Sequence, residues 1–311
     1  MKIIADDFNP KGGTAVPQAK VNDITIAYET IGSENDRPLL LITGLASQMV
    51  TWPDAFCSRL VDAGHFVIRF DNRDCGLSSK LESGGVPNVE TLMADAQAGK
   101  PVKAPYRLSD MAADAVGLLD KLGLDRAHVC GLSMGGMIAQ LMAVEYPDRV
   151  ASLISMMSTT GRPGLPGPTP EAMQAMLSMP PIERSAYVRY LTGVYRAFAG
   201  GSEAFDEQLS DAIAGQAYDR SFYLMGFARQ MAAIIASGNR EEKLSKVTAP
   251  TLVIHGTSDS LVPIDHGRAT ADAIPGAELV LIEQLGHGLT FPTLWDEIIA
   301  AIASRTRSAA V

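Results

Sequence analysis

The stretch Cys130-Gly131-Leu132-Ser133-Met134-Gly135-Gly136 decides how this chain folds. The apolar run Ala127-His128-Val129 enters it and an amphipathic run starting Met137-Ile138-Ala139 leaves it, so Ser133 stands where a strand turns sharply into a helix. Glycines two before and two after the serine suit such an elbow. A larger side chain at either place would collide with the following helix, and the serine backbone itself is forced into an unfavourable region.

Working outward, Ile24 to Thr30, Leu39 to Ile42, Phe66 to Phe70, Ala127 to Leu132 and Ala151 to Met156 read as short apolar strands. Helical patterns near Pro53 to Ala63 and Leu108 to Leu122 separate them; the second puts Met111, Ala115, Leu118 and Leu119 on one face. Apolar strands alternating with helices predict the α/β class, with a mostly parallel central sheet covered on both faces. From Gly161 to Leu244 the rhythm changes: after a Gly/Pro-rich loop, Pro170 to Leu177, Ile182 to Phe198 and Ser221 to Ala236 read as helices, with no convincing strand. Strands resume at Thr251 to His255 and Glu278 to Ile282, and a helix from Leu294 to Ala303 closes the chain. The pattern predicts a core domain from 1–160 and 245–311 and a helical cap, or lid, over 161–244. Leu81 to Ala104, with its glycines, prolines and mixed charges, is expected to be a mobile surface loop.

A chain of 311 residues, 47% hydrophobic and 20% charged, can bury one large core or a core and an insertion. Its formal charge of -9 is spread without long runs, which argues against a nucleic-acid partner. Acids interrupt Met1 to Phe8 before a signal-peptide core can form, and nowhere do apolar residues run to membrane-spanning length, so a cytoplasmic location without membrane attachment is expected. Cys57, Cys75 and Cys130 are odd in number and fit no zinc spacing; Cys130 reads as a buried strand residue. Oligomeric state is open.

A serine hydroxyl needs a base to take its proton and a carboxylate to orient that base. Asp259 lies in the loop directly after the strand ending at His255, and His287 lies in the glycine-flanked loop after the strand ending at Ile282. In a parallel sheet these carboxyl-end loops share one edge with Ser133, and the order Ser, Asp, His is that of the α/β-hydrolases. Asp259 alone would suit a plain Ser-Asp-Ser turn. The preceding loop, Met157 to Gly161, offers no other acid, however, and His65, His128, His255 and His266 read as strand or helix-start residues. Donors for an oxyanion are expected from the backbone N–H groups of Met134, after the serine, and Leu45, in the loop Thr43-Gly44-Leu45-Ala46-Ser47. No H-x-x-x-H pair, P-loop or strand-following G-x-G-x-x-G is found, and no metal or cofactor is expected.

With these residues in place the chain resembles the α/β-hydrolase superfamily over nearly its whole length. Asp71-Asn72-Arg73-Asp74-Cys75-Gly76-Leu77-Ser78 looks like the family's D-x-R-G-x-G-x-S loop, with Asp74 where glycine is usual. That loop, Gly44 through Phe56, and the elbow resemble the aclacinomycin methylesterase group, which cleaves a methyl ester on a bulky polyketide. Thr43-Gly44 replaces the common His-Gly, so only the Gly44-Leu45 backbone carries over. Serine rather than aspartate at 133 counts against epoxide hydrolases and haloalkane dehalogenases.

The resemblance implies a carboxylic-ester hydrolase acting on small to medium hydrophobic small-molecule esters through an acyl-enzyme on Ser133. Alternatives are an acyltransferase, a carbon-carbon bond hydrolase or a cofactor-free haloperoxidase with the same triad, or a ligand-binding receptor on the scaffold. Met173, Met176, Leu177, Met179, Met225 and Met231 crowd the predicted cap. Gly44, Met173, Met176 and Met225 are the candidate substrate contacts, although methionines also serve simply to pack a cap against itself.

Overall fold

The computed structural model describes residues 16–309; the stretch Met1 to Phe8 lies outside them. In chain order the strands are β1 (Gln18–Val21), β2 (Ile24–Ile31), β3 (Arg37–Ile42), β4 (His65–Phe70), β5 (Ala127–Leu132), β6 (Val150–Met156), β7 (Thr251–Gly256) and β8 (Glu278–Ile282). The core helices are α1 (Asp54–Asp62), α2 (Val89–Gln97), α3 (Leu108–Lys121) and α4 (Met134–Glu145). Between β6 and β7 come α5 (Pro170–Leu177), α6 (Arg184–Phe198), α7 (Glu207–Arg220), α8 (Gly226–Ser237) and α9 (Glu241–Leu244). After β7 follow α10 (Ile264–Ala273) and α11 (Trp295–Arg307).

The strands form one sheet in the order β1-β2-β4-β3-β5-β6-β7-β8. β2 runs antiparallel to both neighbours, and every pair from β4 to β8 is parallel. The two-residue period of a strand divides its side chains between opposite faces. Leu40, Ile42, Ile68, Val129 and Leu153 pack with α3 and α4, while Leu39, Leu41, Val67, Cys130 and Ile154 pack with α1 and α11. Both faces are therefore dry, and the strands read as continuous apolar runs. Because the chain moves from β3 outward to β4 and then returns to β5 on the other side, the loops after β3 and β5 leave the sheet side by side. That reversal is where ligands enter an open α/β sheet.

Three segments differ from the sequence expectations. The stretch from Leu81 to Ala104 contains a nine-residue helix, α2, capped by the Asn88 side chain and packed against α8. A good N-cap outweighs the local glycines and prolines, which lie outside the helix. Helix α7 leaves little trace in the apolar pattern because its buried residues, Ser210, Ile213, Ala214, Gly215 and Ala217, are mostly small. The short strand β1 pairs only with β2 at the edge of the sheet. Among the described residues no helix is long and apolar enough to cross a membrane.

Candidate active site

Ser133 sits at the turn from β5 into α4 with φ 57° and ψ -118°, a conformation strained for any residue carrying a Cβ. Close packing enforces it. A Cβ on Gly131 would lie 2.0 Å from the Gly135 carbonyl oxygen, and one on Gly135 would lie 2.1 Å from that of Ile42. The bend is tied into the sheet as well: Ser133 N–H donates to the Met156 carbonyl at 2.9 Å, and Ser158 Oγ donates to the Ser133 carbonyl at 2.8 Å. Gly136 and Met137 N–H groups take the same carbonyl at 2.9 and 3.2 Å, so the helical ladder starts beyond the Met134 amide.

The loop after β3 lies against this elbow, with the position of a Gly44 Cβ only 3.3 Å from Ser133 Cβ. Leu45 packs its side chain on the cluster that contains Met134 and Met137. Two more left-handed residues mark the same neighbourhood, Ala46 at φ 54° and Asp74 at φ 65°.

On the other side, the structure brings Asp259 and His287 together. His287 Nδ1 lies 2.8 Å from Asp259 Oδ2, and since a carboxylate only accepts, Nδ1 carries the proton and Nε2 is left as the basic nitrogen. Asp259 Oδ1 accepts from the backbone N–H groups of Leu261 and Val262 at 3.0 and 2.8 Å, which fixes the carboxylate plane. The carboxyl end of α6 covers both loops: Phe198 O accepts from His287 N–H at 3.0 Å and Ala197 O accepts from Ser260 Oγ at 2.6 Å. The Phe198 ring meets the imidazole edge-on, with centroids 6.0 Å apart. Gly288 N–H donates to Met157 Sδ at 3.1 Å, which ties the histidine loop to the end of β6 beside the elbow. Ser133 therefore shares the sheet edge with a formed Asp259–His287 pair.

The remaining histidines stand apart from this pair. His255 Nε2 lies 3.7 Å from Asp259, but it donates to the Val262 carbonyl at 2.7 Å, and burial lowers its pKa so that it stays neutral. His65 and His128 are buried in their strands, and His266 bridges Thr159 Oγ1 and the Pro166 carbonyl. Cys57 and Cys75 are pushed up to about 12 by burial, and Cys130 is raised by the same cause, which keeps all three thiols protonated. Among the described residues no cluster of three or more His, Cys, Asp or Glu is placed to hold a metal ion. Of the methionines, Met179 and Met225 are 81% and 48% exposed, Met173 and Met176 are half-buried on α5, and Met231 is buried.

No motif marks the side chains that hold the elbow's surroundings. Asp71 is fully buried and accepts from Met49 N–H, Leu77 N–H and, at 2.6 Å, Arg220 of α7. Asn72 donates to Thr43 O and Oγ1. Arg229 of α8 reaches both oxygens of Asp74, at 2.8 and 2.9 Å, and also the Gly85 carbonyl. Gln230, beside it, bonds Ala46 N–H and the Arg73 carbonyl. The partners of Arg220, Arg229 and Gln230 in these bonds are 144 to 184 residues away, so no local pattern announces them. The one available signal was Asp74 itself, an acid where glycine is usual.

Comparison with known proteins bears on the same residues. A family model described as the alpha/beta hydrolase fold matches residues 37–292. Rhodomycin D methylesterase DnrP of Streptomyces peucetius is 32% identical, with 93% of this chain and 97% of the relative covered. A 2-hydroxy-6-oxononadienedioate/2-hydroxy-6-oxononatrienedioate hydrolase of Burkholderia vietnamiensis is 32% identical, covering 85% of each chain. Among solved structures, a meta-cleavage product hydrolase from Pseudomonas fluorescens superimposes with TM-score 0.71 at 20% identity, covering 94% of this chain and 97% of the other. At that identity the likeness speaks for the fold alone.

Proposed function

The chain belongs to the α/β-hydrolase family, and on that basis we propose that it is a serine carboxylic-ester hydrolase built on Ser133, His287 and Asp259. The observation that carries this reading is the 2.8 Å His287–Asp259 hydrogen bond at the sheet edge where the strained elbow presents Ser133. Ser133 Oγ attacks the ester carbonyl as His287 Nε2 takes its proton, and Asp259 holds the imidazole in the required tautomer. The N–H groups of Leu45 and Met134 receive the oxyanion, each worth about 3 kcal/mol of barrier. His287 then protonates the departing alkoxide, and water, activated by the same nitrogen, releases the acid. Carbonyls at the carboxyl end of α6 beside His287 favour the transient imidazolium. Ser133 Oγ and His287 Nε2 are expected to close to hydrogen-bond distance when substrate binds.

For substrate class, we infer a methyl ester of a bulky, largely apolar acid. Similarity to rhodomycin D methylesterases over 93% of the chain supports this. Helices α5 to α9 then act as the cap over the site, and 161–244 as a domain distinct from the rest.

The test is methanol release from methyl esters of polycyclic aromatic acids alongside hydrolysis of short nitrophenyl esters. Ser133→Ala is expected to abolish both while the protein stays folded; activity retained in that variant would remove Ser133 as the nucleophile. Carbon-carbon bond hydrolysis is the second reading, favoured by the dienedioate hydrolase relatives. Turnover of a vinylogous diketone faster than of any ester would select it.

A further inference from the structure

Resting on the serine-hydrolase reading, we propose that Gln230, on α8 of the helical insertion, is a positioning residue that aims the Leu45 N–H at the oxyanion.

The loop that carries Leu45 is closed by bonds from Thr43 and Ser47, and it is held from outside as well. Ala46 is in the left-handed region at φ 54°, which costs an alanine about 1 to 2 kcal/mol and persists only where other contacts impose it. Gln230 Oε1 imposes it from the far side of the sequence by accepting the Ala46 N–H at 2.7 Å. Its Nε2 donates to the Arg73 carbonyl at 2.8 Å, so the side-chain amide is fixed at both ends and cannot rotate. Gln230 is fully buried, and an amide buried with either half unpaired would be costly.

The peptide between Leu45 and Ala46 is thereby clamped. Its N–H is held by Gln230, and its carbonyl, Leu45 O, accepts from Ser47 Oγ at 3.2 Å. The peptide before it is held through Gly44 O, which accepts from Ser47 N–H at 3.3 Å. With both planes set, the direction of the Leu45 N–H is set too. The neighbouring Arg229 anchors α8 through its bidentate pair with Asp74, which keeps Gln230 in reach of the loop.

An oxyanion donor acts on charge that develops in the transition state, whereas ground-state binding depends on the rest of the pocket. A residue that aims such a donor therefore acts on kcat. A residue that merely fastened the insertion to the core would change stability and leave the kinetics of the folded enzyme alone.

The experiment uses the full chain with Gln230→Met, which keeps side-chain length but offers no amide, and Gln230→Glu, which keeps an acceptor for Ala46 N–H and, held protonated by burial, an O–H donor for the Arg73 carbonyl. For each, kcat and KM are measured on a nitrophenyl ester, together with the affinity of a trifluoromethyl ketone that binds as a tetrahedral adduct. Gln230→Met is expected to lower kcat about 10- to 100-fold with KM within about twofold, and to weaken the ketone by the same factor as kcat/KM. Gln230→Glu is expected to recover most of that loss. Should Gln230→Met give no folded protein, Gln230→Asn, one methylene too short to reach Ala46, takes its place with the same expectations.

Wild-type kcat and ketone affinity in the variant without the contact overturn the proposal, as does a loss confined to the melting temperature. Equal losses in the Met and Glu variants overturn it too. Failure of the underlying reading shows separately, as ester turnover that survives Ser133→Ala.

Discussion

The two sides of the candidate active edge are held by different means. The acid and base loops, after β7 and β8, are fixed largely by their own backbone: Leu261 and Val262 amides grip Asp259, Asp259 grips His287, and the end of α6 closes over both. The nucleophile side, after β3, β4 and β5, carries three left-handed non-glycine residues, Ser133, Ala46 and Asp74, against Gln284 on the other, and depends on side chains reaching in from α7 and α8. One side is held by bonds within its loops and to the backbone at the end of α6, the other by side-chain anchors from α7 and α8. Chemistry and stability should therefore respond differently on the two sides.

The largest effect is expected on the side of the acid and base loops. Asp259→Asn keeps an oxygen for the Leu261 and Val262 amides, so the loop should retain its shape, but the amide no longer fixes the His287 tautomer. An approximately 10⁴-fold fall in kcat with an unchanged melting curve is expected, equivalent to about 5.4 kcal/mol of barrier. A fall of less than tenfold would mean that Asp259 is a turn residue and that another group orients the histidine.

On the nucleophile side, stability should move first. Arg229 and Asp74 form a bidentate pair with side chains 1% and 0% exposed, and Arg229 also contacts the Tyr223 hydroxyl. Arg229→Met leaves the Asp74 carboxylate buried without its cation and is expected to cost about 3 kcal/mol in urea unfolding. Adding Asp74→Gly removes that stranded charge and supplies a residue at ease at φ 65°, so the double variant should recover to within about 1 kcal/mol of the parent. Strictly additive losses in the two variants would show that the pair is not the anchor.

This division also explains how much could be read from the chain. The elbow, the acid loop and the base loop are each written in a few consecutive residues, and their meeting follows from the shared direction of parallel strands. The α/β-hydrolase fold and the Asp259–His287 contact were legible for that reason. The ties made by Arg220, Arg229 and Gln230 depend on how α7 and α8 settle on the core, and α7 itself was invisible because it buries small residues. The methionine-rich composition of the insertion does not tell that the Met179 side chain lies largely in solvent. Apolar content alone does not tell which helix face turns inward.

The smallest effect lies beneath both sides, in the sheet, where anchoring is neither by loops nor by the insertion. His128 is fully buried in β5, with Nδ1 2.8 Å from Ser152 Oγ, and burial lowers its pKa to about 4. Below its ordinary value of 6.5 the unfolded chain takes up a proton that the folded chain refuses. The stability it contributes is thus complete above pH 6.5 and is lost as pH falls toward 4, where the folded protein protonates as well. His65 and His255 are shifted in the same direction by the same cause and steepen the decline. His128→Asn keeps a polar atom where Nδ1 meets Ser152 but cannot take up the proton. Unfolding free energy measured at pH 7.5 and pH 5 should drop by about 1 to 2 kcal/mol less in the variant than in the parent. An identical drop would take the acid sensitivity away from His128 and leave it to His65 and His255, the other buried histidines of the sheet.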